Sequence, residues 1–397
     1  MKNLLCSLML MCSVLLSGVP ALAQDNNSQD CIETYDSNVD YFPEKVDSEY
    51  SEVWDVEYFN NYKVLTTHPN VRGEGDDEMI VLVQCGTPTP ELTGDLAEAL
   101  VIETPIDRIF DATGVGLPGI EALGVAETLV GWQYEYSGAE YLPEIYARRD
   151  ELIAAGYGAN LESVVAVEPD VYLIFGSPDE RDEQRSLGIP AIWFDTWTDE
   201  PLGAAEQTKF ISLFYNLEAE ANALFDETEA RYQELLEIVA AYPEQPTVLI
   251  GDIGTLDDGA TSVFYTVDPN RTEMRILRDA GAIDLLADMD MVQDFVGVRA
   301  LDIETVIAIA DEADYWYNTA YNTPLRTVSE FLEAEPLNAS FPTLIEGRAF
   351  NVFARGEDMY ETGHLQPDLM LADLISLMYP DALPDHELTF FFRIEPS

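Results

Sequence analysis

The sequence predicts an α/β protein: two doubly wound, Rossmann-like lobes joined by one long helix, with an N-terminal β-containing extension. Three observations predict it. From about residue 100 onward, short apolar segments alternate with helical stretches, the pattern of parallel strands linked by crossover helices. An unbroken helical run, Glu218–Ala241, contains neither Gly nor Pro and divides that pattern in two. The segment Asn160-Leu-Glu-Ser-Val-Val-Ala-Val167 recurs as Asp302-Ile-Glu-Thr-Val-Ile-Ala-Ile309, once on each side of the run.

The first 23 residues read as a cleaved export signal. Lys2 gives a positive start, Leu4–Leu16 is an apolar stretch of signal length, and Ala21-Leu22-Ala23 is an A-x-A cleavage site. Ser17, Gly18 and Pro20 cut the run short of the ~20 apolar residues that a membrane span requires. Met11 before Cys12 and Asp30 before Cys31 do not fit lipid attachment, which takes a small residue there. Cys6 and Cys12 leave with the signal. Cys31 and Cys85 remain as one pair in an oxidising compartment, where a disulfide is the default expectation.

Residues 24–100 form the extension, with Val53–Thr67 and Met79–Cys85 as strands around the Gly/Asp-rich turn Arg72–Asp77. Residues 101–215 make the first lobe. Its strands are Arg108–Phe110, Thr128–Gly131, Val171–Phe175 and Ala191–Phe194. Residues 216–242 carry the connecting helix, about 36 Å long at 1.5 Å per residue, with Ala221, Leu224, Phe225, Tyr232, Leu235, Leu236 and Val239 on one face. Pro243 and Pro246 end it. Residues 243–397 make the second lobe. It has strands Thr247–Ile250, Tyr315–Tyr317 and Ala349–Val352 and helices Arg271–Ala280, Ile303–Ile309 and Pro367–Tyr379.

Charge narrows the function. Asp and Glu number 75 against 19 Lys and Arg, a formal net charge of −56. A chain this acidic lacks the cations that displace counterions from nucleic acid or that hold anionic lipid. No Ser-His-Asp or Cys-His spacing suggests an enzyme. His68, His364 and His386 are scattered, which argues against bare-metal capture, and His364 alone falls near the expected cleft. Gly114-Val-Gly-Leu-Pro-Gly119 fits a dinucleotide fingerprint, but Pro118 inside it and export of the chain weigh against a cofactor, and none is expected. Turn chemistry explains Asp252, Asp257 and Asp258 better than calcium does.

In the repeat, Asn160 and Asp302 are natural N-caps, and Glu162 and Glu304 sit in the first turns, where negative charge suits the helix dipole. Capping alone does not require eight matched residues, so the repeat points to two related lobes.

Arg108-Ile-Phe-Asp-Ala-Thr113, Leu123-Gly124 with Leu129-Val-Gly131, Asn160-Leu-Glu162 through Val167-Glu-Pro-Asp170, and Leu187-Gly-Ile-Pro-Ala191 follow one another in the first lobe. In these motifs the sequence resembles the helix-hinged substrate-binding proteins of ABC importers, the iron-siderophore and vitamin B12 class. Ala280-Gly-Ala282 and Pro367-Asp-Leu-Met-Leu-Ala-Asp373 with Tyr379-Pro380 continue the resemblance, so that it covers roughly residues 100–390. The resemblance implies a monomer with a preformed cleft between lobes, holding a ferric siderophore or similar metal chelate. It implies delivery to an ABC permease and its ATPase, with Glu162 and Glu304 pairing with permease arginines. Cobalamin or haem as ligand, extracellular sensing on the same lobes, and an exported enzyme are the alternatives.

Ligands of doubly wound sheets lie at the carboxyl ends of the strands. By that rule the expected cleft residues are Asp111, Thr113, Trp132, Tyr134, Tyr157, Trp193 and Trp197 in the first lobe, and Tyr265, Arg299, Trp316, Arg355 and Tyr360 in the second. Aromatic faces with a few arginines suit a bulky, partly apolar, anionic ligand.

Overall fold

The computed structural model describes residues 31–68, 76–132, 141–154, 160–174, 177–194, 200–256, 261–287, 289, 297–320, 325–352, 359 and 362–396. The export signal lies outside them.

The extension begins irregularly and then forms a sheet of β1 (Trp54–Tyr58), β2 (Tyr62–Thr67), β3 (Glu78–Gln84) and β4 (Leu100–Thr104), in that order. The first three strands run antiparallel, and β4 lies parallel to β3. Two expectations are corrected here. Val53–Thr67 is a hairpin rather than one strand, because the chain turns at Phe59–Asn61 and closes with a bond from Phe59 N to Tyr62 O. The extension's sheet also continues past residue 100: Leu100–Thr104 pairs along Ile80–Gln84. Cys31 and Cys85 are joined by a disulfide. Ile32 N donates to Cys85 O beside it, and a Cβ on Gly86 (φ +81°) would lie 2.2 Å from Ile32 O, so only glycine fits that turn.

The first lobe is a parallel sheet of β5 (Ile109–Asp111), β6 (Leu129–Trp132), β7 (Ile153–Ala154), β8 (Val171–Ile174) and β9 (Ala191–Trp193), ordered β7-β6-β5-β8-β9. Helices α1 (Leu117–Ala122), α2 (Pro143–Ala147), α3 (Leu161–Ala166) and α4 (Pro178–Ser186) connect its strands. Short helices α5 (Pro201–Ala205) and α6 (Gln207–Ser212) lead to α7, which runs for 23 residues from Glu218 to Ala240.

The second lobe is built on β10 (Thr247–Ile250). The strands β11 (Asp252–Thr255) and β12 (Ser262–Val267), α8 (Thr272–Asp279), β13 (Ile283–Asp284), β14 (Val298–Asp302), α9 (Ile303–Ile307) and β15 (Tyr315–Asn318) follow. The chain finishes with α10 (Val328–Ala334), α11 (Pro342–Ile345), β16 (Ala349–Val352), α12 (Thr362–Leu365), α13 (Pro367–Met378) and β17 (Phe391–Arg393). The main sheet is ordered β13-β10-β15-β16-β17, parallel except for the antiparallel β17. A separate antiparallel sheet, β11-β12-β14, was not anticipated.

Strand order reverses between β5 and β8 in one lobe and between β10 and β15 in the other. The same device secures both reversals. Asp170 Oδ2 accepts from Asp107 N and Arg108 N (3.0 and 2.9 Å), while Asp314 Oδ2 accepts from Thr247 N and Oγ1 (2.9 and 3.0 Å). Each aspartate immediately precedes the strand beyond the reversal and pins it to the start of the lobe's first strand.

The extension shares a core with the first lobe: Trp54, Leu65, Ile80, Leu82 and Ile102 pack with Ile109, Leu129, Leu173 and Phe210. The long helix changes partners along its length. Ala221 belongs to that first core, whereas Phe225 and Tyr232 belong to a second-lobe core with Val248, Met274 and Leu374. Tyr232 Oη donates to Asp279 (2.5 Å), and Arg231 Nε donates to Asp368 (2.6 Å), which secures α7 to α8 and α13.

Candidate binding cleft

In doubly wound sheets a ligand binds at the carboxyl ends of the parallel strands. The segments that follow them, 133–140, 155–159, 175–176 and 195–199 in one lobe and 321–324 and 353–358 in the other, lie outside the described residues. Tyr134, Tyr157, Trp197, Arg355 and Tyr360 fall outside as well.

Asp111 ends β5 and is fully buried. Its Oδ1 accepts from Thr113 N (2.8 Å), Thr113 Oγ1 (2.6 Å) and Gly114 N (3.1 Å). A Cβ on Gly116 would lie 2.8 Å from Asp111 Oδ2, so the glycines leave room for this carboxylate. Burial raises the Asp111 pKa against those hydrogen bonds, which lower it. Asp111 and Thr113 therefore shape the turn into α1 rather than offering open ligand contacts.

Two expected cleft residues are buried in cores. Trp132 is 1% exposed and lies in the first core with Leu142 and Ile145. Trp316 is fully buried: its ring stacks on Phe341 at 4.7 Å and its indole N–H donates to Gly251 O (2.8 Å). In strands so short, alternation turns a given residue inward as readily as outward. Trp193, the last residue of β9, is also buried, and its indole nitrogen has no hydrogen-bond partner among the described residues. Tyr265 and Arg299 are half-buried on the small sheet, opposite Asp252 and Thr266, and Tyr265 Oη donates to Thr255 O (3.1 Å).

Asn318, Thr319 and Asn351, which sequence reasoning passed over, lie at or near the ends of the second lobe's strands. Asn351 Nδ2 donates to Asn318 Oδ1 (2.9 Å) between β16 and β15, and Thr319 Oγ1 donates to Asp252 Oδ1 (2.8 Å). Burial raises the Asp252 pKa. Asparagine is depleted from strands, so Asn318 and Asn351 within β15 and β16 are the signal that could have marked this pair.

His364, on α12, is fully buried, and neither ring nitrogen has a partner among the described residues. α12 packs against α1 and α5, so this imidazole sits where the lobes meet. Burial first, and the Arg271 charge second, push its pKa down to about 4.

Glu162 and Glu304 are exposed and occupy the same position in the first turns of α3 and α9. Asn160 caps α3 by accepting from Glu162 N, and Asp302 caps α9 by accepting from Thr305 N and Oγ1. The Thr305 bonds hold the Asp302 carboxyl below its ordinary range. Each helix leads into the strand just beyond its lobe's reversal, so the octapeptide repeat is also a repeat of position.

Among the described residues, no group of three His, Cys, Asp or Glu is placed to hold a metal ion, and no helix is long and apolar enough to cross a membrane.

Two lobes of mainly parallel sheet with one long helix between them are the architecture of a two-lobe binding protein. The family model described as periplasmic binding protein matches residues 120–352, and the chain belongs to that family. It is a family of binding proteins of transporters, not of enzymes. Among solved structures, the chain is similar to the periplasmic haem-binding protein RhuT of Roseiflexus sp. RS-1, with 21% identity and a TM-score of 0.55, covering 70% of this chain and 99% of that one. A periplasmic haem-binding protein of Pseudomonas aeruginosa is 17% identical at a TM-score of 0.54, covering 73% and 98%. The TroA-like binding protein FepB of Veillonella parvula is 14% identical at 0.55, covering 74% and 96%. An uncharacterized lipoprotein of Methanocaldococcus jannaschii is 23% identical over 310 residues, 74% of this chain and 70% of its own.

Proposed function

We propose that this chain is exported, captures a ferric siderophore or similar metal chelate between its lobes, and delivers it to an ABC permease driven by its ATPase. The observation that carries the reading is the pairing of two parallel-sheet lobes with one connecting helix that enters both cores. A single helix permits little hinge motion, so a slot of fixed width suits a bulky, rigid ligand better than a small one that needs engulfing. The aromatic and arginine side chains in the segments after the strands, Tyr134, Tyr157, Trp197, Arg355 and Tyr360, supply stacking faces and positive charge for an anionic complex. Glu162 and Glu304, one per lobe on equivalent exposed first turns, are the docking contacts for permease arginines, because Arg–carboxylate pairs fix orientation as well as affinity.

Haem is the second reading, favoured by two structural neighbours that bind it. Titration of the purified protein with ferric hydroxamate, catecholate and citrate chelates, haem and cobalamin, followed by tryptophan fluorescence, tests both. Quenching that saturates with a ferric chelate supports the first reading, and quenching with haem alone selects the second. No change with any of the five removes both.

A further inference from the structure

Val46 and Tyr50 stand four residues apart in the extension, yet they enter different cores. Val46 is buried in the core shared by the extension and the first lobe, while Tyr50 packs against the second-lobe core and meets the Phe225 ring at 6.0 Å. Between Ala221 and Phe225 the connecting helix itself passes from the first core to the second. The extension therefore crosses α7 at the point where that helix passes from one core to the other.

The crossing is built from hydrogen bonds as well as packing. Glu206, fully buried between α5 and α6, accepts from Glu49 N (2.9 Å), Tyr50 N (3.0 Å) and Ser51 N (2.8 Å), with Lys209 Nζ 3.0 Å away. Three successive backbone N–H groups thus converge on one carboxylate. Asn222 Nδ2 donates to Lys45 O (2.9 Å), and the Tyr50 hydroxyl donates to Glu229 one turn beyond Phe225. Both ends of the segment are anchored in the first-lobe body: residue 31 through the disulfide to Cys85, and residue 54 through Trp54, whose ring packs edge-on against Phe210.

We propose that residues 45–51 act as a strap across the hinge, fixing the separation of the lobes and so the width of the cleft before any ligand arrives. A bare α7 would bend at Ala221–Phe225. With the strap bonded on both sides of that point, bending requires Tyr50 to leave the second core or the Glu206 bonds to break. The role rests on the two-lobe binding architecture but not on the identity of the ligand.

The test is made without ligand. Spin labels on thiols introduced as Glu183→Cys in the first lobe and Glu333→Cys in the second report the inter-lobe distance by pulsed electron resonance, and hydrogen exchange reports opening of α7. Tyr50→Ala combined with Glu206→Gln is expected to broaden the distance distribution and to speed amide exchange in Glu218–Phe225 at least tenfold; Tyr50→Phe, which loses only the Glu229 bond, should change both in the same direction by less. Wild-type distances and exchange in folded variants of lowered Tm overturn the proposal, leaving the extension as a cover for the first lobe. If the double variant does not fold, Tyr50→Phe and Asn222→Ala decide alone: wild-type behaviour in both overturns it. Absence of binding to every metal chelate would remove the proposed function and leave these readings unaffected.

Discussion

Lys63 and Glu218 form an ion pair with an N···O separation of 2.7 Å and no solvent exposure on either side chain. One stands on β2 of the extension and the other opens the connecting helix. Lys63 Nζ also donates to Leu213 O (2.6 Å) and Asn216 Oδ1 (2.9 Å) and lies 4.7 Å from the Phe42 ring centre. Burial pushes the Lys63 pKa down, and Glu218 and its hydrogen bond oppose that. Lys63→Met should cost about 3–5 kcal/mol, because it strands a buried carboxylate. Lys63→Met with Glu218→Leu should recover most of the loss. Denaturant unfolding of the three proteins checks both, and an equal loss in single and double variants would show that the ammonium's other contacts matter more than the pair.

The Cys31–Cys85 disulfide closes a loop across 54 residues. By the chain-entropy relation, Cys31→Ala with Cys85→Ala should destabilise the fold by about 4 kcal/mol. Thermal unfolding with and without reductant measures it, and an unchanged Tm on reduction would contradict it.

His364 gives a pH dependence of known sign. Its folded pKa of about 4 lies below its ordinary 6.5, so between these values the unfolded chain binds more protons than the folded one. Stability then rises with pH through this window, and acidification costs up to about 3 kcal/mol. Asp284, raised by burial to about 6, contributes the opposite slope over much of the same range. His364→Leu isolates the histidine: its unfolding free energy should fall less than the wild type's from pH 7 to pH 4. Parallel pH profiles would place the histidine in contact with water in the folded state.

Asp170 and Asp314 perform one task in two lobes. Each alanine variant loses two bonds to a carboxylate, about 1–3 kcal/mol. Because the sites belong to different lobes, the double variant should lose the sum. Calorimetry that found one loss large and the other negligible would mean that the lobes unfold separately.

Glu162→Ala with Glu304→Ala should abolish uptake by the permease and leave ligand affinity within error of wild type, since both side chains are exposed on first turns. Weakened ligand binding in the purified variant would contradict the docking role.

Much of the fold was legible in the sequence because its elements are local. The connecting helix was visible in 24 residues without a breaker, and β8, β10 and β16 in short apolar runs between helices. The hairpin at Phe59–Asn61 was hidden because Asn60-Asn61 is weak punctuation inside a long β-prone run. The place of Leu100–Thr104 in the extension's sheet depends on a parallel partner, Ile80–Gln84, which no local pattern reveals. The same holds for Lys63, a polar residue in a strand until Glu218, 155 positions on, meets it. At the cleft, strand ends were legible but side-chain direction was not: Trp132 and Trp316 point into cores that only the assembled sheets define.

Native mass spectrometry of the protein purified from its own source, grown with iron in supply, tests the central claim most directly. A mass excess equal to that of an iron or cobalt complex, lost on unfolding, is the predicted result. Bare chain alone, from folded protein that also fails to take up any of the five chelates, would contradict the account.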